Sequence, residues 1–352
     1  MSSQNPNSNP FQTTFPLVQA PMAGVQTHAL CIAVSNAGGL GSLPCAQLTA
    51  DQLFIELQEV QQGTSRPYNL NFFCHTPPEF DKHRNLAWKN ALDPFYREFG
   101  LDPEEFPVGQ GRTPFNAELA DVLEEFNPPV VSFHFGLPEP ALLQRVKATG
   151  AKIMSSATTV EEALWLQEHG CDFIIAQGLE AGGHRGHFLN HNLSHQMGLF
   201  ALLPQVVKAV KVPVIAAGGI ANPQGVAAAM ALGASAVQVG TAYLLAPECS
   251  TSAVHRAALK SEAARHTALT NLFSGRPARG IMNRVMQELG CMSECPPEFP
   301  MATPGITPLR NAAEKLGSGD FSPLWAGQNA SECRDAPAAE ITLHLAQGFK
   351  TD

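Results

Sequence analysis

The residues best suited to chemistry lie in one glycine-rich stretch, residues 171–187, with the sequence CDFIIAQGLEAGGHRGH. It contains Glu180 and His184, among glycines at positions 178, 182, 183 and 186. Histidine titrates near neutral pH, so His184 is a candidate base or hydrogen-bond donor. The apolar run before the loop is too short for a helix and predicts a buried strand that ends at Gln177. The alternative is a surface histidine in a loop whose glycines only turn the chain.

Two later apolar runs also end in glycine. Residues 212–217 run into Gly218 and Gly219, and residues 236–239 run into Gly240 and Thr241. In α/β folds such turns bind phosphate, because backbone amides favour an anion and glycine lets the backbone approach it closely. Either turn alone could simply end a strand, but the two in succession favour a bound phosphate. No G-x-G-x-x-G opens a helix after the first strand, and no G-x-x-x-x-G-K-S/T occurs, so neither a dinucleotide fold nor a nucleotide-hydrolysing loop is supported.

Three amide side chains fall at or near the carboxyl ends of predicted strands: Asn71, Gln177 and Gln238. Uncharged donors and acceptors of this kind suit a heteroaromatic ring such as the isoalloxazine of a flavin, whose reactivity is tuned by hydrogen bonds. Each amide taken singly could instead be a core residue bonded to backbone.

Short apolar strands that alternate with helices position these residues. The predicted strands cover residues 15–20, 40–43, 68–73, 129–133, 151–155, 173–177, 212–217 and 236–239. Eight such strands predict an α/β fold of the eight-stranded (β/α)8 TIM-barrel type, with an open doubly wound sheet as the alternative. In a barrel, the carboxyl ends of the strands meet at one rim, where active sites lie.

Two segments interrupt the rhythm. Residues 75–129 and 246–323 are rich in proline, aromatic and charged residues and predict helices without clear strands. We expect them to form a smaller, mainly helical domain on the substrate side, since long loops rarely lack structure of their own. The barrel then comprises residues 11–74, 130–245 and 324–352, after a disordered leader at residues 1–10.

The charge balance favours a small-molecule substrate. The chain has 22 Lys and Arg against 31 Asp and Glu, a net charge of -9, which argues against nucleic acid and anionic membranes as partners. The start of the sequence lacks the features of a signal peptide, and no apolar run is long enough to span a membrane, so we expect a cytoplasmic protein. The sequence is compatible with a homo-oligomer but does not establish one.

The cysteines and histidines do not form a recognisable metal site. Cys291 and Cys295 lack a second pair at ligand spacing, and the histidines at 184, 187, 191 and 195 lie in a segment with no helical face to bring them together. We therefore expect no metal, and we expect most of the eight cysteines to be reduced core residues.

Several motifs together resemble the class I nitronate monooxygenases, formerly called 2-nitropropane dioxygenases. They are residues 19–25 (QAPMAGV), 69–75 (NLNFFCH), 178–186 (GLEAGGHRG), 216–220 (AAGGI), 238–241 (QVGT), 274–280 (SGRPARG) and 324–328 (LWAGQ). The resemblance spans nearly the whole chain and implies an FMN-binding barrel with a smaller helical domain. It also implies an oxidoreductase that converts alkyl nitronates, such as propionate 3-nitronate, to carbonyl compounds and nitrite or nitrate with O2.

The resemblance implies site residues as well. His184 would be the active-site histidine, and FMN would be bound by residues at the barrel rim: Ala20, Met22, Asn71, Gln177, Gly182, Gly183, Gly218, Gly219, Gln238, Val239, Gly240 and Thr241. One difference from the family is visible. Class I members tend to have tyrosines and a lysine before the last helix, where this chain has Phe299, Met301 and Thr303.

Other functions remain open on the sequence alone. A related FMN barrel could take electrons from NAD(P)H to reduce a quinone or an enoyl thioester. The chain could also be a flavin- or phosphate-ligand binding protein without turnover, or a sugar-phosphate isomerase on the same barrel. The last of these predicts a colourless protein.

Overall fold

The computed structural model describes residues 9–109 and 112–349. Most of the predicted leader, residues 1–8, lies outside this range. The described chain contains eleven strands: β1 (Leu17–Gln19), β2 (Gly41–Pro44), β3 (Tyr68–Phe73), β4 (Val130–His134), β5 (Lys152–Ala157), β6 (Phe173–Gln177), β7 (Gly183–His184), β8 (Val214–Ala217), β9 (Ala236–Val239), β10 (Thr267–Thr270) and β11 (Ala278–Ile281).

Eight of these strands form one parallel sheet in the order β1-β9-β8-β6-β5-β4-β3-β2. The two end strands meet through a parallel bridge between Val18 and Leu40. Leu40 N donates to Leu17 O at 2.8 Å, and Gln19 N donates to Leu40 O at 2.9 Å. This contact nearly closes the sheet, which confirms the predicted (β/α)8 barrel over the open doubly wound sheet.

The described chain also contains twelve α-helices: α1 (His28–Asn36), α2 (Ala50–Gly63), α3 (Lys82–Glu98), α4 (Ala117–Phe126), α5 (Pro140–Ala148), α6 (Val160–Glu168), α7 (Leu199–Ala209), α8 (Pro223–Ala231), α9 (Ala253–Leu259), α10 (Arg284–Glu288), α11 (Thr303–Lys315) and α12 (Ala338–Ala346). Local signals start several of them. Thr49 and Gln52 form a capping box at α2, and Asn222 caps α8 before Pro223. None of the described helices is long and apolar enough to cross a membrane.

The barrel has an apolar core on each face of its sheet. A large cluster between strands and helices includes Leu17, Leu70 and Val237, all fully buried. A smaller cluster includes Val18, Met154 and Ile215 from alternate strand positions, with Phe11 packed against Phe173. Apolar side chains on both faces of a strand are what a fully buried parallel sheet requires. They also explain why the strands read as continuous apolar runs.

Outside the barrel, α3, α10 and α11 pack around a separate cluster centred on Trp88, Leu92 and Phe321. Trp88 Nε1 donates to Ala302 O at 3.1 Å, and Tyr96 OH donates to Gly305 O at 2.7 Å, so segments about two hundred residues apart are joined here. The two interruptions therefore share one core.

The sequence-based expectation that residues 246–323 contain no clear strand is wrong. Strand β11 pairs antiparallel with β10 on one side and with β7 on the other. In the second pair, Ala278 lies opposite His184. Each of these strands has only four residues or fewer, too short to show a period of two. The small sheet leads directly into the glycine-rich loop.

The end of the first interruption, around α4, packs with the barrel. Helix α4 packs beside α2 and α5, and Phe115, Leu119 and Leu123 belong to the large barrel core. The prolines and acidic residues around α4 hide this apolar face in the sequence. Its residues therefore pack as part of the barrel, although the sequence analysis places them in the smaller domain.

Candidate active site

A cavity of about 200 Å³ opens at the rim where the barrel strands end. Twelve of the thirteen residues predicted for the site line it: Ala20, Met22, Asn71, Gln177, Gly182, Gly183, His184, Gly218, Gly219, Gln238, Gly240 and Thr241. They come from strands far apart in sequence, and only the closed barrel brings them together.

Val239 is the exception. Its side chain is buried in the core between strands and helices, and its carbonyl accepts a hydrogen bond from Ala20 N at 2.8 Å. Because side chains alternate along a strand, the inward-facing neighbour Gln238 lines the cavity and Val239 does not. The side chain of Val239 thus has a packing role.

His184 is held by bonds to its side chain and to its backbone. Its Nε2 lies 2.8 Å from Ser274 Oγ. Its carbonyl accepts hydrogen bonds from Gln177 Nε2 at 3.0 Å and from His134 Nε2 at 3.2 Å. No hydrogen bond among the described residues uses His184 Nδ1, which leaves that nitrogen available to a ligand.

Aromatic rings surround the His184 imidazole. The ring centroids of Phe299 and Trp325 lie 5.3 and 5.6 Å from it, and those of Phe73 and Phe135 lie 6.2 Å away. Burial among these rings lowers the pKa of His184 well below its usual value of 6.5, and the positive charge of Arg112 lowers it further. The imidazole is therefore neutral at neutral pH.

Gln177 positions the loop that carries His184. Besides the bond from Nε2 to His184 O, its Oε1 accepts a hydrogen bond from Gly186 N at 2.8 Å. The amide thus spans the loop from one end of the predicted motif to the other. Gln177 still lines the cavity, but both ends of its amide bind the protein's own backbone.

Arg185 and Glu180 fix the base of the same loop. The buried guanidinium of Arg185 donates to Gln196 Oε1 at 2.7 Å, to Gly178 O at 2.7 Å and to Gln177 O at 2.9 Å. The carboxylate of Glu180 accepts from Leu199 N at 2.8 Å, at the start of α7. Both charged residues therefore support the loop, and neither lines the cavity.

The segment 324–329 closes one side of the cavity. Gln328 N donates to Glu180 O at 2.9 Å, Gly327 N donates to Thr241 Oγ1 at 3.0 Å, and Asn329 Nδ2 donates to Gly219 O at 3.2 Å. A Cβ atom at Gly182 would lie 2.6 Å from the backbone of this segment. Glycine at position 182 is therefore required for the approach.

One buried amide oxygen at the cavity has no partner. Within residues 9–109 and 112–349, Gln238 Oε1 accepts no hydrogen bond. A buried acceptor left unpaired costs free energy, so a ligand that donates an N–H or O–H would stabilise this position. Together with the turns at Gly218, Gly219 and Gly240, this fits a ligand with a polar ring at one end and a phosphate at the other.

Several cavity residues were not predicted. They include Arg112, His134, His255, Asn329 and Trp325 as lining residues, and Ser274 as the partner of His184. His134 is the last residue of β4, and the signal that identified Asn71, a polar residue at a strand end, could have found it. Ser274 opens the SGRPARG motif at residues 274–280, but nothing in that motif indicates a contact with His184, and no local signal marks Arg112; both residues reach the site from the smaller domain.

No three His, Cys, Asp or Glu side chains in the described part of the chain come together in a way that could hold a metal ion.

A family model described as nitronate monooxygenase matches residues 5–348. The chain belongs to the nitronate monooxygenase family. It is 42% identical over 340 residues to the nitronate monooxygenase of Pseudomonas aeruginosa. The aligned region covers 95% of this chain and 96% of that relative. The nitronate monooxygenase of Paraburkholderia phytofirmans is also 42% identical, with coverage of 95% and 92%.

Solved structures agree with this membership. The nitroalkane oxidase of Streptomyces ansochromogenes superposes with a TM-score of 0.87 at 36% identity, covering 95% of both chains. FabK from Thermotoga maritima superposes with a TM-score of 0.70 at 26% identity, covering 96% of this chain and 94% of that one. Members of the nitronate monooxygenase family are flavin-dependent oxidoreductases that act on small molecules, so this chain is an enzyme of that type.

Proposed function

We propose that this family member is an FMN-dependent nitronate monooxygenase. It would oxidise alkyl nitronates, such as propionate 3-nitronate, with O2 to a carbonyl compound and nitrite or nitrate. The observation that carries the proposal is the position of His184 among aromatic rings, beside a cavity with glycine turns. Its Nδ1 and the amide oxygen of Gln238 make no hydrogen bond to any described residue. The cytoplasmic location and the homo-oligomer remain predictions.

The rim residues would bind FMN through two kinds of contact. Gln238 and Asn71 offer uncharged amides to the isoalloxazine ring, and the Gly218–Gly219 and Gly240–Thr241 turns offer backbone amides to the phosphate. When bound, the flavin supplies the route for electrons between the nitronate and O2. The protein supplies position and electrostatics.

His184 suits an anionic substrate. A nitronate carries its negative charge on the nitro oxygens, and a neutral imidazole whose Nε2 accepts from Ser274 Oγ has a proton on Nδ1 to donate. In the other tautomer, Nδ1 is an acceptor and could remove a proton from a neutral nitroalkane. The aromatic rings around the imidazole lower the local dielectric constant, which strengthens either interaction.

The positive charges near His184 favour the same substrate class. Arg112 and Arg276 both lower the pKa of His184 through their charge, and no Asp or Glu lines the described cavity. An anion entering this space is therefore attracted, and a cation is repelled.

The test begins with the purified protein. We expect the visible spectrum of oxidised flavin, release of FMN on denaturation, and O2 consumption with nitrite formation when propionate 3-nitronate is added. NADH with a quinone, and NADH with an enoyl thioester, serve as the rival assays. Faster turnover in either rival assay than with nitronate would replace the proposal by the reductase alternative, and a colourless protein that cannot retain FMN would exclude both.

Substitution of the histidine tests the site. We expect His184→Asn to lower kcat/KM for nitronate by about 10²- to 10⁴-fold with FMN still bound, since this is the usual contribution of a positioned proton donor or base. The matched control is His191→Asn, an exposed histidine shortly after the glycine-rich stretch. Equal kcat/KM of the two variants would show that His184 does not act in the reaction.

A further inference from the structure

A second chamber adjoins the cavity of His184. Its volume is about 430 Å³, and it is lined by Pro107, Arg112, Pro300, Thr303, Pro304, Thr307 and Pro308. Arg112 also lines the first cavity, so its side chain lies where the two spaces meet. A molecule bound beside His184 could therefore extend past Arg112 into the chamber.

Within residues 9–109 and 112–349, Arg112 is the one charged residue on the chamber wall. Both threonine hydroxyls on that wall are already used, because Thr303 Oγ1 donates to Phe273 O at 3.0 Å and Thr307 Oγ1 donates to Thr303 O at 2.7 Å. The other described residues of the wall are prolines. This described part of the wall thus presents an apolar surface with a single charged group.

The guanidinium of Arg112 has no protein counter-ion among the described residues, and none of their hydrogen bonds uses it. Its carbon atom lies 5.9 Å from the ring centroid of Phe299, the aromatic ring that stands 5.3 Å from His184. The backbone is fixed on the other side, where His75 Nε2 donates to Arg112 O at 3.0 Å. The arginine is held in place while its charge is left uncompensated.

Other arginines of this region, unlike Arg112, donate their hydrogen bonds to acceptors of the protein. Arg185 donates to three acceptors of the protein, and Arg279 donates to Leu179 O at 2.9 Å and to Thr267 O at 3.1 Å. Burial lowers the pKa of Arg112 to about 10, so it stays charged at neutral pH. A desolvated guanidinium without acceptors calls for an anionic partner.

We propose that Arg112 is a specificity-determining residue that binds a carboxylate at the far end of the nitronate, whose carbon chain passes Phe299 toward the proline-lined chamber. This inference rests on the proposed function and names the substrates that the site favours, which are nitronates with a second negative group. Planar carboxylate and planar guanidinium pair in two parallel hydrogen bonds, which gives geometric selectivity as well as attraction.

The experiment compares two nitronates with three carbons each. Propionate 3-nitronate carries the carboxylate, and propyl 1-nitronate lacks it. For Arg112→Met we expect kcat/KM to fall about tenfold to a hundredfold with propionate 3-nitronate, mainly through KM, since hydrogen bonds between charged groups contribute on this scale. The loss with propyl 1-nitronate should be much smaller. Arg112→Lys should restore part of the difference, because it keeps the charge without the planar fork.

A binding measurement separates this inference from the activity. Isothermal titration calorimetry of the purified protein with 3-nitropropionate and with 1-nitropropane should show tighter binding of the carboxylate in the wild type only. Arg265→Met, a change at an arginine with a 70% exposed side chain, is the control and should match the wild type.

The outcomes distinguish the two proposals. If the wild type oxidises neither nitronate, the proposed function fails, and the calorimetry decides whether Arg112 still binds a carboxylate. If both nitronates are oxidised but Arg112→Met affects them equally, the assignment of Arg112 is overturned and the proposed function stands. Equal binding of 3-nitropropionate by the wild type and Arg112→Met would also overturn it.

Discussion

The polar groups on the two sides of the His184 loop differ in their hydrogen bonding. On the anchored side, defined by Glu162, Glu180 and Arg185, the charged groups bind backbone amides, carbonyls and side chains of the protein. On the open side, defined by Arg112 and Gln238, which both line the cavity, the guanidinium of Arg112 and the Oε1 atom of Gln238 lack protein partners among the described residues. At this loop the type of residue therefore does not reveal its role, whereas its hydrogen bonds do: the bonded charged groups hold the loop, and the unbonded groups of Arg112 and Gln238 lie at the cavity.

The largest expected effect is on the anchored side, at Arg185. We expect Arg185→Met to lower the free energy of unfolding by more than about 3 kcal/mol, because three buried acceptors lose their donor together. Urea unfolding with FMN present measures it. The surface variant Arg265→Met should stay within about 0.5 kcal/mol of the wild type. Equal effects of the two variants would show that the bonds of Arg185 do not stabilise the fold as proposed.

Gln238 should behave in the opposite manner. Replacement by Leu removes a buried oxygen that has no partner in the described part of the chain, so we expect no loss of stability in the flavin-free form. FMN affinity should fall roughly tenfold, since one hydrogen bond to the ligand is lost. Fluorescence titration with FMN gives the affinity, and urea unfolding gives the stability. A variant that is destabilised but binds FMN normally would show that Gln238 supports the fold, as the residues of the anchored side do.

A variant of Glu180 tests whether this carboxylate only stabilises the loop or also acts in the reaction. We expect Glu180→Ala to reduce stability by about 1 kcal/mol, because Leu199 N at the start of α7 loses its acceptor. Turnover of nitronate should persist. A loss of kcat as large as that of His184→Asn would show that the carboxylate acts in the reaction.

The smallest expected effect concerns pH. The pKa of His184 lies well below 6.5, so its imidazole takes up a proton only when the pH falls far below that value. Protonation of His184 should therefore cause no decline of kcat/KM between pH 8 and about pH 6. The pH profile of the wild type is compared with that of His184→Asn. An inflection near pH 6.5 that disappears in the variant would contradict a desolvated, neutral histidine.

The barrel was predictable from sequence because its strands are buried on both faces and appear as continuous apolar runs such as residues 173–176. The rim of the site was predictable for a related reason. Gln177 and Gln238 lie at or beside the carboxyl ends of their strands, where glycines follow and the apolar runs stop. Carboxyl ends of parallel strands must converge, so local signals gave a three-dimensional site.

The rest of the site depends on contacts that no local pattern records. Ser274 meets His184 across 90 residues of sequence, and the pairing that creates this contact involves strands of four residues or fewer. The sequence predicts that the amide of Gln177 binds a ligand, whereas in the structure its hydrogen bonds go to the loop backbone. Whether a polar side chain is satisfied by the protein is a property of the folded state.

The segment 324–329, which bonds to Glu180, Thr241 and Gly219, has a consequence for biosynthesis. The ribosome makes this wall only after all eight barrel strands have been completed. A nascent chain can thus assemble its barrel early, but a cofactor would be enclosed only near the end of translation. Loading should accordingly be a late event, and it should fail in chains that stop before Trp325.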